Sequence, residues 1–529
     1  MFVQGLKEGG PEMMKAALAK NFALSRNLNQ WDDVSKMDDL KKAAMTTGAN
    51  IVGYDLQAPA RLLLPVITPI RNSLPRRSRA ANPGTQSNWK VINASAFVDS
   101  GYSQMGWTNE GARAPQFSYS AVNASAAYQT IGAEDALTWE AESASQGFED
   151  ANGLATFLLL QQMMIKEEMA LLAGNFSVTL GTPVTPTVSA SGSGATLPAA
   201  TYVVYVVALT VEGYAQSSVS LAGVATTKTI VGPDGKTSTI NGGSSAKSAA
   251  SAGQAVTLGQ TLFANTTVIN GAVAYAWYVG TAGNEVLQAI TTINSAAFSA
   301  PLIAGTQAAT SVTTDHSKNN GTLGGGTGQV TAFDGLLSQT YTAAAGGNAY
   351  VKALPTGTPG TGTKLTSTTK GSVTEIDTLL LYLWQTWRIS PTKMWVNAQE
   401  LNSLTTLCLN TSSAPLLQVL SDGKGLEIGA NQVLRFYNNF FAMGGQPVKI
   451  PVLLHPQIPP GTIFFQCETL PSTYVTNETP NVAEVLTRRD YYRVDWPVTT
   501  RERQYGVYSE EVLAVYAPFG FAILTNIAP

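Results

Sequence analysis

The chain has 529 residues, too many for one simple core, so two or three domains are expected. Only 13% of the residues are charged, against roughly 25% in ordinary soluble proteins, and 44% are hydrophobic. Such a surface is a hazard for a free monomer and ordinary for a chain that copies of itself cover. The net charge of −3 excludes a strong overall pull on nucleic acid, and no apolar run reaches the roughly 18 residues that a membrane span needs.

Residues 1–60 are polar and helix-prone. In "PEMMKAALAKNF" Met14, Ala17 and Leu18 share one face, which predicts a short amphipathic helix. The opening "MFVQGLKEGGPEMMK" lacks the basic-then-apolar pattern of a signal peptide. Next, "RLLLPVITPIRNSLPRRS" (residues 61–78) is apolar, broken by Pro65, Pro69 and Pro75, and edged with arginine. Proline removes a backbone donor and disfavours helix in the residue before it, so the stretch reads as an extended ribbon, not a helix or a central strand. Arg61, Arg71, Arg76, Arg77, Arg79 and Lys90 all lie between Asp55 and Asp99, where no acidic residue occurs. This arm is either a solvated segment with ion-pair partners on a neighbour or a segment facing a polyanion.

In residues 97–131 "NEGARAP" is a turn signal, and Phe117, Tyr119 and Ala121 alternate with Ser118 and Ser120. A long hairpin is expected. A lone two-stranded ribbon is marginal in water and needs a surface to lie on. "DANGLATFLLLQQMMIKEEMALLAGN" (residues 150–175) reads as one long helix, with Leu154, Phe157, Leu158, Ile165, Met169 and Leu172 at helical spacing. Gly174 is a suitable stop, and the Met163–Met164 pair reads as packing.

From residue 176 to about 320 the chain turns rich in Gly, Ala, Ser, Thr and Val, and no arginine occurs between Arg113 and Arg388. "TYVVYVVALTVEG" and "GAVAYAWYVGTAG", separated by glycine turns, predict strands of a β-sandwich, with Trp277 in its core. Helical spacing returns in "SVTEIDTLLLYLWQTWRISP", where Ile376, Leu379, Leu380, Leu383, Trp384 and Trp387 form a stripe and Ser372 with Glu375 has capping-box spacing. A strand "KMWVN" and a second helix from about Ala398 follow, with Asn397 and Glu400 repeating the cap. The tail holds two long strands. Tyr492, Val494 and Trp496 alternate, and "EVLAVYAP" is apolar on both faces, as a central strand is.

The chemistry of an enzyme is missing from this pattern. The two histidines, His316 and His455, form no metal-ligand spacing, and the two cysteines, Cys408 and Cys467, form no CxxC. They read as two buried thiols of a cytosolic protein. There is no GxSxG or HExxH. "GTPGTGTKL" (residues 357–365) misses the phosphate-loop spacing because Thr363 stands where lysine is needed, and it reads as a flexible loop. The adjacent carboxylates Glu167–Glu168 and Glu510–Glu511 point apart and read as exposed surface. Sequons such as Asn123–Ala124–Ser125 follow from composition. No catalytic residue, cofactor or metal is implied.

The order is now basic ribbon, long hairpin, long helix, inserted β-module, α/β segment and two closing strands. Through "PARLLLPVITPIRNSLPRR" with "NWKV" behind it, "EEMALLAGN" and "RRDYYRVDWPVTTRERQYGVYSEEVLAVYAP", the chain resembles the major capsid protein of tailed bacteriophages. The fold so implied is the Hong Kong 97-type shell fold, an α+β architecture shared with the herpesvirus capsid floor. The β-module resembles the immunoglobulin-like insertions that some of these proteins carry.

The resemblance implies an N-terminal arm in residues 1–80, an E-loop hairpin with flanks in 81–140 and the spine helix of a peripheral domain in 141–175. The inserted β-sandwich would follow in 176–320, a return to the peripheral domain in 321–374, mostly axial domain in 375–485 and the closing strands in 486–529. It implies pentamers and hexamers of an icosahedral virion shell, assembled in the host bacterial cytoplasm around double-stranded DNA. Tyr102, Trp107, Arg113, Phe117 and Tyr119 become E-loop contacts between subunits. Arg61, Arg71, Arg76, Arg77 and Arg79 become arm contacts, running inside the shell and touching neighbours and DNA phosphates. The implied partners are further copies, a portal protein, a separate scaffolding protein and a cement or decoration protein on the shell. The short N-terminal region leads to the expectation of an unprocessed chain.

Some family members weld neighbours by a lysine–asparagine bond starting from the E-loop. No lysine lies between Lys90 and Lys166, so this hairpin cannot start one. Two other readings use the same elements: an encapsulin-like nanocompartment, and a phage surface or tail adhesin built on the β-module.

Overall fold

The structure, a computed structural model, describes residues 68–79, 84–92, 107, 109–113, 121–145, 150–221, 223–305, 307–319, 321–323, 326–329, 332–367, 372–410, 419–421, 426–428, 435–442, 448–470 and 481–529. The expected helix around Met14, together with Arg61, Tyr102, Phe117 and Tyr119, lies outside them. Two compact units divide the chain, with the boundary inside the long helix Ala151–Ala173 and inside the long strands Ala483–Asp495 and Glu502–Val515.

The first unit contains Thr130–Glu167 and Arg488–Glu511. Here the strand Gln129–Thr138 flanks Glu502–Val515, which flanks Ala483–Asp495. Tyr505 and Val507 point to one side and bury themselves against Leu159 and Met163 of the long helix, with Ile131, Ala133 and Tyr491 around them. The period of two along the strand and the helical period of Leu159 and Met163 supply the two apolar faces that meet here. On the other side the Tyr508 ring lies over Gly132 and Gly506, where any Cβ would overlap it.

The second unit holds the arm from Pro69 on, the hairpin, the β-module and the α/β segment. Its centre is a mixed six-stranded sheet in the order Tyr350–Ala353, Phe521–Thr525, Ile463–Gln466, Lys393–Val396, Lys449–Leu454, Phe436–Asn438. Ile463–Gln466 and Phe521–Thr525 are buried along their whole length, as strands covered on both faces are. The helix Thr374–Trp387 buries Ile376, Leu379, Leu380, Leu383 and Trp387 of the predicted stripe, while Trp384 is half-buried. Its cap differs from expectation. Val373 is the N-cap, and the Glu375 carboxylate accepts from Thr366 N (3.0 Å) and Oγ1 (2.6 Å) instead of closing a box with Ser372. Asn397 does cap its helix, accepting from Gln399 N at 3.1 Å, while Glu400 turns to Gly461 N at 2.7 Å.

The β-module contains a three-stranded sheet (Ser295–Phe298, Thr261–Asn265, Thr187–Ser191) and a four-stranded sheet (Val286–Thr291, Ala274–Gly280, Ala200–Leu209, Gln254–Val256). Both feed one core, in which Trp277, Val204, Val206, Leu262 and Phe298 are buried. The edge of Ala200–Leu209 is closed by a serine repeat. Ser245, Ser248 and Ser251 donate their N–H groups to the carbonyls of Ala208, Val206 and Val204 (2.9, 2.9 and 3.0 Å). Their Oγ atoms accept from the N–H groups of the same three residues (2.8, 3.0 and 2.9 Å). Every polar group that an edge would expose is thereby used. A further four-stranded sheet (Gly326–Gln329, Gly321–Leu323, Thr237–Asn241, Thr227–Val231) has no counterpart in the sequence reading.

The loop 357–365 is ordered, not flexible. Gly357, Gly360 and Gly362 take positive φ (62°, 79°, 74°), Thr363 pairs with Ile527, and Gly360 N donates to Ser295 Oγ at 3.0 Å.

Candidate assembly surface

The arm is extended in only part of its described length, at Arg76–Ser78, and helical before it. Residues Pro69–Ser73 form one short helix, and Arg76–Ser78 form a strand that pairs in parallel with the chain at Val485, Leu486 and Thr487. The reasons are local. Pro69 sits at the first helical position, where its missing donor costs nothing. Ile70 and Leu74 lie on one side and are buried.

A buried carboxylate fixes the start of that helix. Glu168 Oε1 accepts from Ile70 N (3.0 Å) and Oε2 from Arg71 N (2.7 Å). His455 Nε2 lies 2.7 Å from Glu168 Oε1, and both side chains are 0% exposed. Gln457 N donates to His455 Nδ1 at 3.2 Å, which makes Nδ1 the acceptor and leaves the ring proton on Nε2 to face Glu168. A carboxylate that accepts from three donors at the start of this helix is well placed to hold the arm on its own chain.

This overturns the expectation that Glu167–Glu168 and Glu510–Glu511 are exposed: all four residues are buried. Adjacent residues do point apart, but here both directions lead into protein. Glu510 accepts from Arg488 Nε (2.5 Å) and Tyr492 Oη (3.0 Å). Burial raises its pKa, but these hydrogen bonds and the Arg488 and Arg489 charges outweigh it, so the carboxyl lies below the ordinary range.

The hairpin forms with shifted bounds. Gln86–Ile92 pairs antiparallel with Ala121–Ala127, from Gln86↔Ala127 to Ile92↔Ala121. Residue Ile131 belongs to the next strand, Gln129–Thr138. The ascending arm precedes the expected 97–131 window because its alternation is of polar residues around Trp89. That indole anchors the base, donating from Nε1 to Val515 O (3.0 Å), and Ile92 N donates to Tyr516 O (2.7 Å). Among the described residues the hairpin sheet has only these two strands, and Gln86, Asn88, Lys90, Val122, Asn123 and Ser125 are exposed. Towards its far end Trp107 is 85% exposed, and Arg113 is exposed at the predicted turn, where Gly111 takes φ 78° and Ala112 N donates to Asn109 O.

The arm arginines follow the short strand. Arg77 is exposed, while Arg71, Arg76 and Arg79 are half-buried. Burial raises the Tyr516 hydroxyl and the nearby Glu484 raises it further, against the pull of Arg79 and Arg77. The cysteines differ: Cys467 is buried and its thiol is pushed up to about 12 by burial, whereas Cys408 is half-buried, not buried as expected. Among the described residues no group of three His, Cys, Asp or Glu could hold a metal ion, and no helix is long and apolar enough to cross a membrane.

Sequence reasoning missed Trp89, Glu168 and His455. The available signal was "IKEEMALL", two carboxylates inside an otherwise apolar helix, together with a histidine closing the strand-like "PVLLH".

No family model matches the chain, and no curated protein matches it. Solved structures that resemble the chain over most of its length are capsids. The capsid of a native GTA particle aligns at 9% identity and TM-score 0.39, covering 92% of this chain and 99% of that one. The cyanophage A-1(L) capsid aligns at 9% identity and TM-score 0.40, covering 90% and 96%. The holo-SrpI encapsulin complex from Synechococcus elongatus aligns at 14% identity and TM-score 0.22, covering 37% and 56%.

Proposed function

We propose that this chain is the shell subunit of a tailed-phage-type head, closing into pentamers and hexamers around double-stranded DNA. The observation that carries the reading is the hairpin. Among the described residues it has two strands, an indole anchor in Trp89 and an outward face, with Gln86, Asn88, Lys90, Val122, Asn123 and Ser125 exposed, and Trp107 in the connection is 85% exposed. A sister copy covers that face most simply, because the same surface recurs on every subunit. In this reading the arm arginines Arg71, Arg76, Arg77 and Arg79 meet DNA phosphates from inside. The β-module is an immunoglobulin-like insertion facing outward.

A separate scaffolding protein guides closure, a portal protein occupies one vertex, and neighbours are joined without covalent bonds: Lys90, in the strand Gln86–Ile92, is the hairpin's one lysine, and the connection from 93 to 120 holds none. Mature particles purified from the host that produces all head proteins, portal included, test this. The expected result is nuclease-protected DNA in filled heads and one monomer band after boiling in SDS. A multimer ladder would contradict the non-covalent shell. Particles that hold protein cargo and no nucleic acid would contradict the genome container.

A further inference from the structure

The β-module and the six-stranded sheet meet at two buried amides within the second unit. Asn294 is 0% exposed and Asn526 is 5% exposed. Asn294 N donates to Asn526 Oδ1 at 2.8 Å, and Asn526 Nδ2 donates back to Asn294 Oδ1 at 3.1 Å. Each amide also holds its surroundings. Asn526 Nδ2 donates to Leu354 O (2.7 Å), and Asn294 Nδ2 donates to Thr266 O (2.5 Å) and Thr356 Oγ1 (2.8 Å). Both donors and the acceptor of each side chain are used. Asn526 adopts φ 60°, a left-handed conformation that few side chains other than asparagine accept.

Beside this pair Gly360 N donates across the seam to Ser295 Oγ (3.0 Å), and the loop that carries Gly360 is held on the sheet's side, where Ala528 N donates to Thr363 O (2.9 Å) and Ile527 N to Gly461 O (3.2 Å). Gly362 lies against Ile293 and Ala528 so closely that a Cβ would stand 3.0 Å or less from both. A second fastening ties the entrance of the β-module to its exit. Asn319 N donates to Asn175 O (2.6 Å), Asn175 N to Asn319 Oδ1 (3.0 Å) and Asn175 Nδ2 to Ser317 O (2.8 Å).

We infer that Asn294 and Asn526 are positioning residues that clamp the β-module to the six-stranded sheet. The module is then carried as one body with that sheet and does not swing on its two linkers. This goes beyond the shell reading and stands or falls without it, because the test reads the subunit alone. Amide hydrogen exchange on the full chain compares wild type with Asn526→Gly, which keeps the left-handed backbone, and with Asn294→Ala. Gly360 N, whose acceptor Ser295 Oγ belongs to the module, bonds to neither asparagine and reports the seam, Ala528 N reports the loop that carries Gly360, and Val206 N and Trp277 N report the module's core. In both variants the seam amide should exchange about tenfold faster or more, the effect of losing a few net hydrogen bonds, with the core amides unchanged. An unchanged seam amide would overturn the clamp. So would core amides that accelerate equally with it, since the pair would then support the module's own fold.

Discussion

The strand Ala274–Gly280 of the β-module and the strand Gln86–Ile92 of the hairpin have the same length and opposite fates. Every residue of the first is buried, whereas the second alternates between exposed and buried and ends half-buried. The module has a second sheet to face and a serine repeat to close one edge; the hairpin has one partner strand. The difference teaches where this chain is self-sufficient. The module fills its core from within and closes a strand edge with its own serines, and the hairpin leaves its outward surface for something else to cover.

The contrast can be broken by emptying the self-sufficient side. Trp277→Ala removes a fully buried indole whose Nε1 donates to Thr291 Oγ1 at 2.8 Å. It should cost about 3–5 kcal/mol, read as a lowered midpoint in denaturant unfolding of the full chain. A loss below about 1 kcal/mol would mean that the module is not tightly packed.

Glu168→Ala sharpens the comparison at the arm, the intermediate case that docks in cis. Three donors lose their acceptor, two backbone N–H groups and His455 Nε2. A cost of about 3 kcal/mol is expected, with faster amide exchange at Ile70 and Arg71. Unaltered exchange there would show that Glu168 does not hold the arm.

A smaller effect, about 1 kcal/mol, is expected from Arg488→Ala in the first unit, and its pH dependence carries the information. The Glu510 pKa is lowered in the folded chain. Its contribution is therefore present above the unfolded carboxyl pKa and is lost as pH falls through the folded value. The variant should be less stable than wild type at pH 7 and should approach wild type as pH falls through the depressed folded value of the Glu510 carboxyl, below the ordinary carboxylate range. A deficit that does not depend on pH would assign the loss to packing by the arginine stem.

The elements that surfaced in the sequence are those whose side chains repeat with one period over many residues. The stripe from Ile376 to Trp387, the run "YVVYVVAL" and the alternating tail are of this kind. What stayed hidden depends on partners far along the chain. Glu168 is buried because His455 and the arm helix meet it, 287 and 98 residues away. At Pro69–Ser73 the arm turned helical, with that carboxylate accepting from Ile70 N and Arg71 N at its start, whereas after Pro75 it is extended as its prolines suggest. The loop at Gly357 is ordered by Ser295 and Ile527, not by its own composition. Trp89 was legible as an indole in a polar run but not as an anchor, since its acceptor is a main-chain carbonyl 426 residues away.

The hairpin itself offers the most direct test, because Trp107→Ala should leave the fold untouched: its indole is 85% exposed and the predicted change in unfolding midpoint is close to zero. Electron microscopy of wild type and Trp107→Ala, each co-expressed with the scaffolding protein, is the decisive measurement. Closed shells from wild type and few or none from the equally stable variant are the predicted result. Wild type that remains a soluble monomer, or normal shells from the variant, would contradict the claim that sister copies cover this hairpin.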